Sequence, residues 1–342
     1  MGSWNEILDE IQSHPSALDD VRRKYLKELS DYTKRNTVAY YSGWLQPKPG
    51  AIYSINDDDK NGFMACFKGL DRGAGLDLIL HSPGGSVAAT ESLIEYLREM
   101  FESDIRTIVP QISMSGGTMI ACTGKEILMG KHSNLGPIDP QFGGIPAREL
   151  INEFERAQKE VSDNPSLANV WAPILAQYHP TLLQKAAHAI AWSEEISENT
   201  LKSGMFSDDE DGSRKSRNIA HFLLSDGHHA HDRHIERSIL RKEGLKIVDL
   251  ETDQELQDRV LSVHHAFMIT FGATNAIKIV ENQNGTALVR VQNALPPVSV
   301  NPMPPILVPP VPPAPSPPAP ENQPVKKSIS IFEKIKRAFK FT

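Results

Sequence analysis

An α/β fold built on a parallel sheet is what this 342-residue sequence predicts, and three observations carry the prediction. Short apolar runs of strand length recur at 76–80 (Leu-Asp-Leu-Ile-Leu), 105–109 (Ile-Arg-Thr-Ile-Val) and 126–129. Helical patterns separate them, and the links are short, which suits right-handed βαβ units. The strand runs are nearly continuous in apolarity, as expected of a sheet covered on both faces.

The elements follow in order. Residues 4–35 read as a helical lead-in, with Leu8, Ile11, Val21, Tyr25, Leu26 and Leu29 at helical spacing. A strand-like run, Thr-Val-Ala-Tyr-Tyr, occupies 37–41, and a Pro/Gly/Asp-rich loop leads to a helix near 61–70. The strand at 76–80 breaks at His81-Ser82-Pro83-Gly84-Gly85-Ser86. A helix from 87 to 101 follows, striped by Leu93, Ile94, Leu97, Met100 and Phe101. Pro110 ends the next strand, and Ser113-Met114-Ser115-Gly116-Gly117 opens a short apolar helix to Cys122. Residues 147–203 are helical in pattern, 208–217 a solvated turn, and helices resume at 218–224 and 233–243. The folded domain is expected over 37–290.

Fourteen prolines in the 29 residues from 296 to 324 predict an extended linker over 291–325. Beyond it, 326–342 carries six Lys/Arg and one Glu, with Ile331, Phe332, Ile335 and Phe339 on one helical face. That face suits a membrane surface, a partner's groove, or no fixed partner at all.

Composition narrows the function classes. A formal net charge of −7 gives no reason to expect nucleic acid as a partner. Cys66 and Cys122 stand far apart without a CxxC, so a disulfide framework is not expected and a reducing cytoplasm fits. The first residues are acidic and amphipathic, unlike a secretory signal, and no stretch is apolar enough to span a bilayer. The expectation is a cytoplasmic protein, peripheral to a membrane at most through 326–342.

The chemistry concentrates in the two glycine pairs, each following a strand. Ligands of open α/β sheets bind beyond the carboxyl ends of strands, where these loops must lie. A glycine-rich loop can turn backbone N–H groups toward an anion or a developing oxyanion. A serine at a helix start gains from the helix dipole. Together they provide what acyl transfer needs: a nucleophile and donors for a tetrahedral intermediate. No GxGxxG, GxxxxGK[ST] or GxSxG occurs, which removes phosphate-loop and α/β-hydrolase readings.

Three segments combine into a recognisable set: Leu-Ile-Leu-His-Ser-Pro-Gly-Gly-Ser at 78–86, Val-Pro-Gln-Ile-Ser-Met-Ser-Gly-Gly-Thr-Met-Ile-Ala at 109–121, and Ser-Asn-Leu-Gly-Pro-Ile-Asp-Pro-Gln at 133–141. The set resembles the Clp-fold serine peptidases, most closely the serine dehydrogenase proteinase (SDH) family, relatives of the Clp protease subunit and of signal peptide peptidase A. The resemblance implies a Clp/crotonase-like β/α spiral core with helical additions. It maps the nucleophile to Ser115, with Ser113 the rival, and the oxyanion donors to Gly84, Gly85 and Gly116. His81 and Ser82 are expected to be structural.

Clp protease takes its base from a histidine after the nucleophile's helix, where this chain has Asp139. The SDH order, Ser then Asp then His, implies that Asp139 orients a later histidine. The segment His-Asp-Arg-His-Ile at 231–235 resembles the family's His-Asp-x-Pro-Ile, which favours His231; His228 and His229 are alternatives, and His234 stands where the proline would be. A Ser-Lys dyad through Lys159 is the other option. The run at 229–234 approaches an HxHxDH zinc motif with its aspartate displaced by one position, so no metal or other cofactor is expected. The implied function is a serine endopeptidase acting on peptide or protein substrates, assembled as a homo-oligomer by analogy with the fold. An inactive scaffold recruited through 326–342 and a crotonase-like acyl-CoA enzyme are the alternatives.

Overall fold

The structure is a computed structural model that describes residues 3–13, 17–225 and 231–292. The expectations for 326–342, for the linker beyond 292, and for His228 and His229 lie outside the described residues.

Two helices open the chain. Helix α1 (Trp4–Gln12) starts with a reciprocal capping box between Ser3 and Glu6, and α2 (Ala17–Thr33) follows. Strand β1 (Asn36–Ser42), helix α3 (Asp59–Phe67) and strand β2 (Leu76–His81) come next, then α4 (Val87–Phe101) and β3 (Ile105–Val109). The two-residue β4 (Ile112–Ser113) leads into α5 (Gly116–Ala121), β5 (Ile127–Met129) and β6 (Asn134–Leu135). A small hairpin, β7 (Gln141–Phe142) and β8 (Ile145–Pro146), precedes the helical additions α6 (Ala147–Asp163), α7 (Ala168–Leu175), α8 (Leu182–Ser203) and α9 (Gly212–Leu223). The chain then returns through β9 (Ile235–Glu236), α10 (Arg237–Lys242), β10 (Ile247–Asp249), α11 (Gln254–Ala273), β11 (Ala276–Asn282) and β12 (Ala287–Val291).

The main sheet has seven strands in the order β10-β5-β3-β2-β1-β11-β12. The five from β10 to β1 are parallel, as the βαβ pattern requires, and β11 and β12 extend the sheet antiparallel. Side chains alternate between the two faces of each strand. Leu78 and Leu80 pack against Leu93, Leu97 and Phe101 of α4 and Phe63 and Phe67 of α3, while Ile79 faces Leu26 and Leu29 of α2 and Val263 and Phe267 of α11. Both faces are covered, which is why the strands carry apolar residues at successive positions. Asp77 interrupts the apolar run of β2 at no exposure to solvent. It is balanced by Arg35 at 2.8 Å and by Nε and Nη2 of Arg106 at 2.8 and 2.7 Å.

Several elements depart from the sequence reading. The acidic stretch expected to be a solvated turn over 208–217 is a turn only in its first half. From Gly212 it is α9, because Ser216, Ile219, Ala220 and Leu223 bury one face. The segment expected to be helical over 233–243 begins as β9, paired antiparallel with β6, and is helical only over Arg237–Lys242. The lead-in is two helices, and α2 is part of the core under the sheet. Cys66 and Cys122 are both buried and unpaired, and burial pushes each thiol up to about 12. Among the described residues no helix is long and apolar enough to cross a membrane.

Candidate active site

The carboxyl ends of β2 and β3 deliver the two glycine loops to one place. Beyond β2, Ser82 bridges in parallel to Ser113, through Ser82 N–H to Ile112 O at 3.3 Å and Met114 N–H to Ser82 O at 2.9 Å. The loop after β2 is thereby registered against the segment that carries Ser115. On the other side the same loop pairs with Ile55: Ile55 N–H donates to Gly84 O at 2.8 Å, and Ser86 N–H donates to Ile55 O at 2.9 Å.

Both glycines are required by this packing. Gly84 has φ +89°, and a Cβ there would lie 2.7 Å from Met114 O and 2.7 Å from Ser115 Cβ. A Cβ on Gly85 would lie 2.2 Å from Ile55 N. Pairing through the Gly84 carbonyl and the Ser86 amide turns the Gly85 N–H away from Ile55. Neither it nor the Gly116 N–H has a protein acceptor among the described residues. The two amides are close neighbours, since a Cβ built on Gly116 would stand 3.4 Å from Gly85 N. Gly84 differs from the expected set of three donors. Its N–H donates to Ser82 Oγ at 3.1 Å, so its contribution is conformational.

Ser115 sits at φ 50°, ψ −119°, a backbone conformation that costs a non-glycine residue on the order of 1–3 kcal/mol. It precedes the first residue of α5, yet its hydroxyl makes no capping bond. The side chain is therefore not consumed as an N-cap, and it faces a cavity of about 400 Å³. Ser113, the rival nucleophile, is fully buried away from that cavity, with its Oγ packed against Gly117.

Asp139 and His231 reach the same cavity from segments 92 residues apart. Thr118 Oγ1 of α5 bonds the carbonyls of Ser113 and Gly136 at 3.0 and 2.9 Å, fixing the strand that leads to Asp139. The Ile138 N–H donates to Leu223 O at 2.9 Å and the Ala147 N–H to Pro140 O at 2.8 Å, which hold the backbone on either side of Asp139. Pairing of Leu135 with Ile235 then sets His231 across from it. His231 Nδ1 lies 2.5 Å from Asp139 Oδ1, with the side chains 24% and 17% exposed.

The cavity is lined by Ser115, Gly84, Gly85, Gly116, Asp139 and His231, with apolar walls from Met119, Ile138, Phe142 and Ala189. Lys159 is not among its lining residues and stands exposed on α6. His234 is exposed too, and no cluster of three His, Cys, Asp or Glu that could hold a metal forms among the described residues. His81 is buried between Tyr41 and Trp44, bonded to Ser42 O and Gln111 Oε1. Desolvation lowers its pKa to about 4, so it is neutral.

Sequence reasoning did not find Ser54, which completes the cavity wall, or Ile55, which pairs with the Gly84-Gly85 loop. They lie in an irregular loop with no periodicity to mark them. Phe142 and Ala189 were likewise indistinguishable from ordinary helix and turn residues.

Comparison with known proteins agrees with this architecture: a ClpP-like mixed α/β fold with a central, mostly parallel sheet. The family described as ClpP-like SDH-type serine proteinase matches residues 51–268, and the chain belongs to that family. An uncharacterised protein of Methanocaldococcus jannaschii, MJ0137, is 30% identical over 240 residues, covering 69% of this chain and 76% of that protein. A second from the same organism, MJ1495, is 32% identical over 172 residues, 50% of this chain and 51% of its own length.

Proposed function

We propose that this chain is a serine endopeptidase with Ser115 as nucleophile, His231 as general base and Asp139 as its orienting carboxylate. The observation that carries the reading is the meeting of three separate segments on one cavity: the strained Ser115, the uncommitted amides of Gly85 and Gly116, and the Asp139–His231 pair.

The chemistry follows from the atoms. Asp139 at Nδ1 keeps the proton on that nitrogen, so Nε2 is the basic one. Nε2 accepts the Ser115 hydroxyl proton as Oγ attacks a peptide carbonyl, and the imidazolium that results is stabilised by Asp139. The carbonyl oxygen gains negative charge and takes hydrogen bonds from the Gly85 and Gly116 amides, which have no competing protein acceptor. His231 returns the proton to the departing amine, leaving an acyl-Ser115 ester. Water, deprotonated by the same Nε2, hydrolyses the ester and restores the hydroxyl.

The exposure of Lys159 disfavours it as base, since a lysine is neutral near pH 7 only when desolvated or beside another cation. Incubation with a fluorophosphonate probe, followed by mass-spectrometric mapping, should place the adduct on Ser115. Ser115→Ala should lose both the label and hydrolysis of an unfolded protein such as casein. Full casein hydrolysis by Ser115→Ala would overturn the assignment.

A further inference from the structure

Behind the oxyanion loop lies a buried polar network that the reaction itself does not touch. Asp59, the first residue of α3, is 3% exposed at its side chain, and its Oδ1 pairs with Lys278 Nζ at 2.6 Å; Lys278, on β11, is 5% exposed. Its other oxygen, Oδ2, accepts from the Tyr40 hydroxyl at 2.9 Å and from the Asn56 N–H at 2.9 Å. Lys278 Nζ also donates to Ser54 O at 3.1 Å. Tyr40 is fully buried on β1, and its hydroxyl also interacts with the Ser82 side chain.

Followed outward, these contacts end on the two chain segments that build the oxyanion loop. One arm, through Lys278 and the Asn56 amide, grips residues 54 and 56, on either side of the Ile55 that pairs with Gly84 and Ser86. The other runs through Tyr40 to Ser82, whose Oγ accepts the Gly84 N–H. A buried carboxylate and ammonium must be paired and fully hydrogen-bonded to persist, so the geometry of such a network is sharply defined. An apolar core would fill the same space without directing either segment.

We propose that the Lys278–Asp59–Tyr40 network is the positioning device of the oxyanion loop, holding residues 54–56 and 82–86 in the register that points the Gly85 amide at the cavity. The proposal rests on the serine peptidase reading. Asp59, Tyr40 and Lys278 act through Ile55, Ser82 and Gly84, and touch no substrate.

Tyr40→Phe tests it, because that change removes one hydroxyl and leaves both the ring packing and the Asp59–Lys278 pair. Amide hydrogen exchange on the resting full chain should become faster in peptides covering 54–56 and 82–86 and stay unchanged in α4 and α11. Fluorophosphonate labelling of Ser115 and kcat on a peptide substrate should fall together by about 10- to 100-fold, with KM within about twofold. The ³¹P resonance of the phosphonylated serine, whose oxygen occupies the oxyanion position, should shift. Unchanged exchange in the two segments would overturn the network's positioning role regardless of activity. Faster exchange with an unaltered labelling rate and ³¹P signal would overturn its link to the oxyanion. If the wild-type chain failed to label at Ser115, the peptidase reading would fall and take the catalytic role with it, while exchange would still report whether the clamp exists. Asp59→Asn, which keeps an oxygen for Tyr40 but leaves Lys278 buried without its carboxylate, should loosen residues 54–56 at least as much as Tyr40→Phe does; unchanged exchange there would count against the Lys278 arm.

Discussion

Replacing Asp139 with asparagine perturbs one contact and nearly no volume. In the native chain the carboxylate lies 2.5 Å from His231 Nδ1, on a wall where both side chains are mostly shielded from water. Asparagine can turn either its oxygen or its amide nitrogen toward that ring. With the amide nitrogen inward, Nδ1 must accept, the proton moves to Nε2, and Nε2 can no longer take the Ser115 proton. With the oxygen inward the tautomer survives, but the imidazolium formed during attack loses its anionic partner. Either arrangement should reduce kcat by about 10³- to 10⁴-fold, equivalent to about 4–5.5 kcal/mol of barrier at 1.36 kcal/mol per tenfold. KM should change little, because Asp139 contributes orientation and charge to the transition state and little to ground-state binding. The assay is steady-state cleavage of a fluorogenic peptide beside the fluorophosphonate labelling rate, with Lys159→Ala as a parallel variant. Asp139→Asn within tenfold of wild type would refute the triad, and a collapse of activity in Lys159→Ala would replace it with a lysine base.

Two further outcomes follow from packing and titration. Gly84→Ala should abolish labelling of Ser115, because its φ of +89° is strained for alanine and the new methyl would meet Met114 O and Ser115 Cβ at 2.7 Å; labelling at the wild-type rate would show that the loop can give way. Stability should also fall on acidification. His81 is neutral when folded, with its pKa lowered from 6.5 to about 4 by burial, so protons bind the unfolded chain preferentially. Its contribution is complete above pH 6.5 and is lost progressively as the pH drops toward 4, on the order of 3 kcal/mol in total. His264, lowered by burial and by the neighbouring His81, adds in the same direction. Urea denaturation of wild type and His81→Asn from pH 7 to 4 should show a shallower pH slope for the variant, and equal slopes would contradict the assignment.

What the sequence made legible was whatever local pattern encodes. Four of the five parallel strands and helix α4 appear within a residue or two of their places, because a doubly covered sheet writes its burial as consecutive apolar residues, whereas the three-residue β10 was not anticipated. The Gly84-Gly85 and Ser115-Gly116 loops were legible for a similar reason, since a positive φ or a close backbone approach admits little except glycine. His231 was harder. Only the resemblance of 231–235 to a family segment separates it from the other histidines of 221–234, and its place opposite Asp139 comes from the two-residue pairing of β6 with β9, a contact between segments about 100 residues apart. Helix α9 was misread where Asp-Asp-Glu-Asp suggested continued solvation, because charge composition in a short window outweighed the Ser216, Ile219, Ala220 and Leu223 face that actually packs.

The Lys278–Asp59–Tyr40 network is the limiting case of the same rule. Asp59 belongs to an Asp-Asp-Asp-Lys run that reads as a solvated loop, Lys278 alternates with apolar residues as an ordinary edge-strand lysine would, and Tyr40 looks like core. Their meaning exists only once β11 pairs antiparallel with β1 and brings the end of the domain beside its beginning. A buried ion pair such as Asp59–Lys278 gains little net stability over a well-packed apolar substitute. The geometry it imposes on residues 54–56 and 82–84 is therefore the more economical account of why an aspartate and a lysine occupy that space, and it ties the late strand β11, far from Ser115 in sequence, to the place where the oxyanion would form.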